Sequence, residues 1–294
     1  MKKRLMGLLI FGIVLCIGCT PEKTDEIIYP KILAIGNSFS EDGMRFLYDM
    51  LQQTGVSSNP ILVNAYISGC DLYTHTQNAK SNSASYTRQT IGTRGTINWS
   101  DKLFTLKNLI EQNKWDIITL QQQSLSSGKI ETYNDDLDYL IDYVKRYAIN
   151  SNVKLGWHMT WAYADNTNLE SFDDFNNNQR YMYQQICNAV TTKILPKTEF
   201  EFIIPAGTAI QNARLHFGDF LTDPEDGIHL NNLGCYVVAV TWLKAIAGCD
   251  VAKLITPYYA SATAEPVTID KTMLEKIVQS VNAAVEMPFE SPDN

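Results

Sequence analysis

Five short apolar runs, each stopped by small or turn-forming residues, constrain this chain more than anything else in it. Residues 32–35 end in Gly36-Asn37-Ser38, and residues 61–67 end in Ser68-Gly69-Cys70. Residues 115–120 run into Gln121-Gln122-Gln123-Ser124, residues 153–159 end near Trp161, and residues 200–204 close on Pro205-Ala206-Gly207. The segments between them place apolar residues at helical spacing, as in Met44, Leu47 and Leu51 or in Leu137, Leu140, Ile141 and Val144. Helices are expected over about 41–53, 103–112, 135–150, 175–194, 231–247 and 271–285. Strands alternating with helices imply parallel β-α-β units, and so a three-layer α/β/α sandwich around a mostly parallel, five-stranded sheet. The polar stretch 71–100 has no clear periodicity and reads as a functional loop or an insertion. Residues 214–226 also read as a loop. No repeat or linker divides the body, so residues 31–288 are expected to form one domain, followed by a polar tail at 289–294.

The formal charge of −8 on 294 residues already counts three cations, Lys2, Lys3 and Arg4, near the start. The remainder is more acidic still. Phosphate binding rests on lysine and arginine, so this balance argues against a nucleic-acid partner and points to neutral substrates. No C-x-x-C pair and no H-E-x-x-H is present, which removes the usual zinc and thioredoxin-like readings. Neither a metal nor a cofactor is expected.

Residues 1–20 combine a basic start, a short apolar stretch and a small-residue end, as a secretory signal does. The apolar stretch is too short for a comfortable membrane span. Its end, Cys16-Ile17-Gly18-Cys19, resembles a bacterial lipobox, with Cys16 where leucine is usual. That resemblance implies a signal peptide over 1–18, lipidation of Cys19, a tether over 19–30, and an exported lipoprotein, periplasmic or on the cell surface. An acyl anchor holds a protein to a membrane surface rather than through it. In an exported protein Cys70, Cys187, Cys235 and Cys249 are either paired or free, and spacing alone does not decide.

Ser38 stands where the first strand gives way to a helix, the end of an open sheet where ligands and catalytic side chains collect. A serine nucleophile needs a base within hydrogen-bond reach and a carboxylate to orient that base. Of the four histidines, His229 has the right surroundings: Asp226-Gly227 favours a tight turn, and the D-x-x-H spacing brings a carboxylate to the ring. Ser38 has a bland rival role, since Ser38-x-x-Glu41 is a capping-box spacing and Ser40 is a plain N-cap.

Gly36-Asn37-Ser38-Phe39 after the first strand, Gly69 after the second and Asp226-x-x-His229 before the long helix together resemble the SGNH (GDSL-type) hydrolase superfamily, over about 31–247. The resemblance implies a flavodoxin-like sheet, with Ser38 as nucleophile, His229 as base and Asp226 as its partner. It also implies that the N–H groups of Ser38 and Gly69 serve the oxyanion hole. Two departures stand out. Asn37 replaces the usual aspartate, and the third block, normally G-x-N-D, is replaced by Gln121-Gln122-Gln123-Ser124. Gln123 is the preferred substitute for the missing asparagine donor, with Gln121 as the alternative.

Hydrolysis of an ester is the implied activity, with O-acetylated carbohydrate the favoured substrate. A lipase-like or thioesterase activity, or non-catalytic glycan binding, are the other readings. His158, Trp157 and Trp161 lie at a strand end, where His158 and Trp161 are candidates for stacking against a sugar.

Overall fold

The computed structural model describes residues 30–254, 258–259 and 267–291. The leader 1–18, Cys19 and the tether as far as residue 29 lie outside the described residues. The chain forms β1 (Lys31–Gly36), α1 (Ser38–Met44), α2 (Leu47–Gln53), β2 (Ile61–Tyr66), α3 (Leu72–Ser81), β3 (Tyr86–Ile91), β4 (Ile97–Phe104), α4 (Leu106–Glu111) and β5 (Ile117–Leu120). After these come α5 (Ser124–Ser127), α6 (Asn134–Tyr147), β6 (Lys154–His158), α7 (Gln179–Lys193), β7 (Phe200–Ile204), α8 (Ala206–Phe217), α9 (Asn232–Ala247) and α10 (Lys271–Glu286).

The central sheet has the order β4-β3-β2-β1-β5-β6-β7. β1, β2, β5, β6 and β7 pair in parallel and are the five expected strands. Renumbered among themselves they run 2-1-3-4-5, the flavodoxin-like order. In such a sheet the crevice opens where the winding reverses, here at the carboxyl ends of β1 and β5. α1, α2, α8, α9 and α10 pack against one another in one layer, and α3, α4 and α6 in the other. With helices on both faces, a strand needs no alternation, and Ile32 to Gly36 of β1 are all buried.

Five expectations change. The stretch 71–100 is ordered structure: α3, capped by Asp71, then β3 and most of β4, an antiparallel hairpin that widens the sheet from five strands to seven. Residues 103–104 belong to β4, so the next helix begins only at Leu106, on a Thr105 capping box. The helix expected over 41–53 is broken into α1 and α2. Residues 206–217 form α8, so the loop expected over 214–226 loses its first four residues to a helix whose buried Asn212 and Arg214 weaken the apolar pattern. In the tail, Phe289 packs on the core and Ser291 is buried. The four body cysteines are free thiols.

Candidate active site

Ser38 is the first residue of α1, and Asn37 caps that helix, its Oδ1 accepting from the Phe39 N–H at 2.9 Å. Capping therefore does not consume the Ser38 hydroxyl. Its Oγ lies 2.8 Å from Nε2 of His229. Ser40, the other capping candidate, donates its hydroxyl to Gln121 Oε1.

The Asp226–His229 turn explains the orientation of the imidazole. Asp226 Oδ1 accepts from the N–H groups of Ile228 at 2.7 Å and His229 at 3.0 Å, and Oδ2 lies 2.5 Å from His229 Nδ1. A carboxylate only accepts, so Nδ1 carries the hydrogen and Nε2 of the neutral ring faces Ser38 as an acceptor. Burial works against the charge on Asp226. Hydrogen bonds from the His229 ring and the two backbone N–H groups outweigh it and hold the carboxyl below its ordinary value. Gly227 is required here: φ is +67°, and a Cβ would stand 3.0 Å from Thr167 Cβ.

Two further contacts dock the histidine turn against the serine helix. Trp161 donates its Nε1–H to the Ile228 carbonyl at 2.9 Å and stacks on Phe39, with ring centroids 4.2 Å apart. The Leu230 N–H donates to Oδ2 of buried Asp42 at 3.0 Å. Burial raises Asp42 to about 6, against the opposing pull of Arg45, the Leu230 N–H and His229.

Asn37 also ties the elbow to its neighbours. Its Oδ1 accepts from Gln121 Nε2 at 2.8 Å, its Nδ2 donates to the Cys70 carbonyl at 3.1 Å, and its own carbonyl accepts from Asn64 Nδ2 at 3.0 Å. Only an amide both accepts from Phe39 and donates to Cys70, which accounts for asparagine in place of aspartate. The bond to Cys70 holds the Ile67–Cys70 turn against the elbow. Gly69 in that turn has φ +59°, and its N–H has no acceptor among the described residues.

The glutamines divide by role. Gln121 is buried, with its amide engaged at both ends by Asn37 and Ser40, so it is placed behind the elbow rather than in the cleft. Gln122 is buried too, accepting from Leu72 N–H and donating to Thr132. Gln123 is half-buried and caps α5, its Oε1 accepting from the Ser126 N–H at 3.1 Å. Its Nε2 makes no hydrogen bond among the described residues.

The expected sugar contacts are not at the surface. His158 and Trp161 are both 0% exposed and Trp157 is 1% exposed. Burial drives His158 down to about 3. His158 packs on Trp161 and Trp242, and Trp161 on Phe39, behind Ser38, while Trp157 packs on Tyr133 and Phe200. The cleft in front of Ser38, about 870 Å³, is also lined by side chains for which no binding role was expected, among them Tyr66, Trp99, Phe220, Glu41 and Asp223. The available signal was Trp99 itself, the one tryptophan in a largely polar stretch. Among the described residues, no group of histidine, cysteine and carboxylate side chains is placed to hold a metal.

No curated protein matches the chain. A protein from Slackia heliotrinireducens described as "a putative SGNH hydrolase" superposes with a TM-score of 0.48 at 15% identity, covering 75% of this chain and 100% of that one. The crystal structure of a DUF4886 family protein from Bacteroides uniformis ATCC 8492 superposes with a TM-score of 0.78 at 32% identity, covering 89% of this chain and 96% of that one. The family described as "Domain of unknown function (DUF4886)" matches residues 31–268, and the chain belongs to that family.

Proposed function

We propose that the protein is a serine esterase of SGNH type, and that it removes acyl groups, acetyl in particular, from carbohydrate. The observation that carries this reading is the unbroken hydrogen-bond chain Asp226–His229–Ser38, 2.5 Å and then 2.8 Å long, built on a strand-to-helix elbow. Ser38 Oγ attacks the ester carbonyl while its proton passes to His229 Nε2. Asp226 stabilises the resulting imidazolium. The N–H groups of Ser38 and Gly69 and the Gln123 amide are the donors assigned to the oxyanion. Collapse of the tetrahedral adduct breaks the C–O bond, and the departing alkoxide takes the proton from His229. Water then attacks the acyl-enzyme, with His229 again as base, and releases the acid and free Ser38.

The esterase reading is tested by hydrolysis of p-nitrophenyl acetate by the wild type and by Ser38→Ala. Loss of at least ~10⁴-fold in kcat is expected for the variant. An inactive wild type, or equal rates for the two, overturns it. The lipobox resemblance supports a second element of the proposal, an exported protein tethered to a membrane through Cys19. Cys19→Ala should abolish acyl labelling and move the protein from the membrane to the soluble fraction. Unchanged labelling would exclude that anchor.

A further inference from the structure

The β3–β4 hairpin places one aromatic side chain beside the nucleophile. Gln89 of β3 pairs with Trp99 of β4, so their side chains share a face of the sheet. Gln89 is fully buried on that face and donates to Glu41, one helical turn after Ser38, at 2.6 Å. Trp99 thus lies on the side of the hairpin that carries the serine helix. It is nevertheless 51% exposed, and it meets the ring of Tyr66 edge-on, with centroids 5.1 Å apart. Tyr66 in turn is in register with Gly36, the residue that opens the elbow. The indole is therefore carried on sheet rather than loop, and it lines the same cleft as Ser38. Phe220, 83% exposed, also lines the cleft, its backbone carbonyl held by Asn231 Nδ2.

Single exposed aromatics need no explanation, but three around one cleft mark a binding surface. Carboxylates between the rings decide what binds. Glu41, Asp42, Asp223 and Asp226 line the cleft, and Arg45, within 3.7 Å of both Glu41 and Asp42, has its charge offset by them. That field repels phosphate headgroups and acidic sugars. Carboxylates interleaved with rings do not make the continuous apolar slot a long acyl chain needs. A neutral sugar presents C–H faces to aromatic rings and hydroxyl donors to carboxylates, and both match.

Resting on the esterase reading above, we propose that Trp99, braced by Tyr66, is the platform on which a neutral O-acylated sugar ring stacks, with its ester turned toward Ser38 and Phe220 as a second ring contact. The proposal moves sugar recognition from His158 and Trp161 to the hairpin.

The test has a kinetic arm and a binding arm. The kinetic arm compares wild type, Trp99→Ala and Phe220→Ala on partially O-acetylated neutral oligosaccharides and on ethyl acetate, which is too small to reach the platform. Trp99→Ala should raise KM for the oligosaccharides about ten-fold or more and leave ethyl acetate within two-fold, and Phe220→Ala should act in the same direction. The binding arm measures the same oligosaccharides calorimetrically against Ser38→Ala with and without Trp99→Ala, where loss of binding in the double variant is expected. Unchanged binding, equal losses on both esters, or activity on ethyl acetate with none on any oligosaccharide overturns the platform and leaves the esterase standing. Trp99-dependent oligosaccharide binding without hydrolysis of any ester supports the platform and overturns the esterase.

Discussion

The indole of Trp161 lies nearly parallel to the ring of Phe39, 17° between planes and 4.2 Å between centroids, while its N–H holds the carbonyl of Ile228. Phe39 follows Ser38 and Ile228 precedes His229. One fully buried side chain therefore sets the distance between two groups brought together from opposite ends of the fold.

Trp161→Phe keeps a ring for the stack and removes the hydrogen bond. It should lower kcat by about 10-fold to 10²-fold, because small misplacements of reacting groups are costly, with KM little changed. Trp161→Ala should add a stability loss of about 3–5 kcal/mol, the range for emptying a large buried aromatic site. Steady-state kinetics and urea unfolding check both. Wild-type kcat in Trp161→Phe would assign the residue to packing alone.

Asn37→Asp tests the logic of the elbow. An aspartate still accepts from Phe39 and Gln121 but faces the Cys70 carbonyl with an acceptor instead of a donor. The Ile67–Cys70 turn should loosen, and the Gly69 N–H with it. Stability is expected to fall by about 1–3 kcal/mol, the cost of opposing two buried acceptors, and kcat by more than about 10-fold. An active variant with wild-type unfolding would show that Asn37 does not position that turn.

How much of this was legible in the residues depended on burial. β1, β2, β5, β6 and β7 carry apolar residues on both faces, and their runs are visible against the turns that end them. The triad was visible because Asp226 and His229 sit on one turn, so three residues of spacing encode the geometry. α3 buries Leu72, His75, Thr76 and Ala79. That is helical spacing, but half the stripe is polar, so no apolar periodicity appears. β4 is an edge strand, largely exposed, and lacks a strand's apolar signature for the same reason. His158 and Trp161 misled because a strand end can face solvent or a covering layer; here α9 covers it, with Trp242 against His158.

Asp42 should leave a pH signature in stability. Its carboxyl is 4% exposed and raised from 3.8 to about 6. Between those values the folded chain holds a proton that the unfolded chain has released. This group's contribution to stability therefore falls as pH rises through that window. Asp42→Asn cannot ionise and keeps an acceptor for Leu230. The variant should gain on the wild type by about 2 kcal/mol between pH 4.5 and pH 7. Unfolding free energies at the two pH values measure this, and an unchanged difference would show that Asp42 titrates as a surface carboxyl.

Gln123 carries the least constrained role in the proposed mechanism, and its observed cap and its proposed oxyanion contact separate by substitution. Its Oε1 caps α5 while Nε2 is the donor assigned to the oxyanion. Gln123→Ala removes both and should cost about 1 kcal/mol of stability and ~10²–10³ in kcat. Gln123→Glu keeps an acceptor for the Ser126 N–H at nearly the same size but offers no N–H, and it sets a negative charge where the oxyanion develops. It should unfold like the wild type and lose at least as much activity as the alanine variant. If Gln123→Glu keeps wild-type kcat, Gln123 is a helix cap only, and the oxyanion rests on the Ser38 and Gly69 N–H groups.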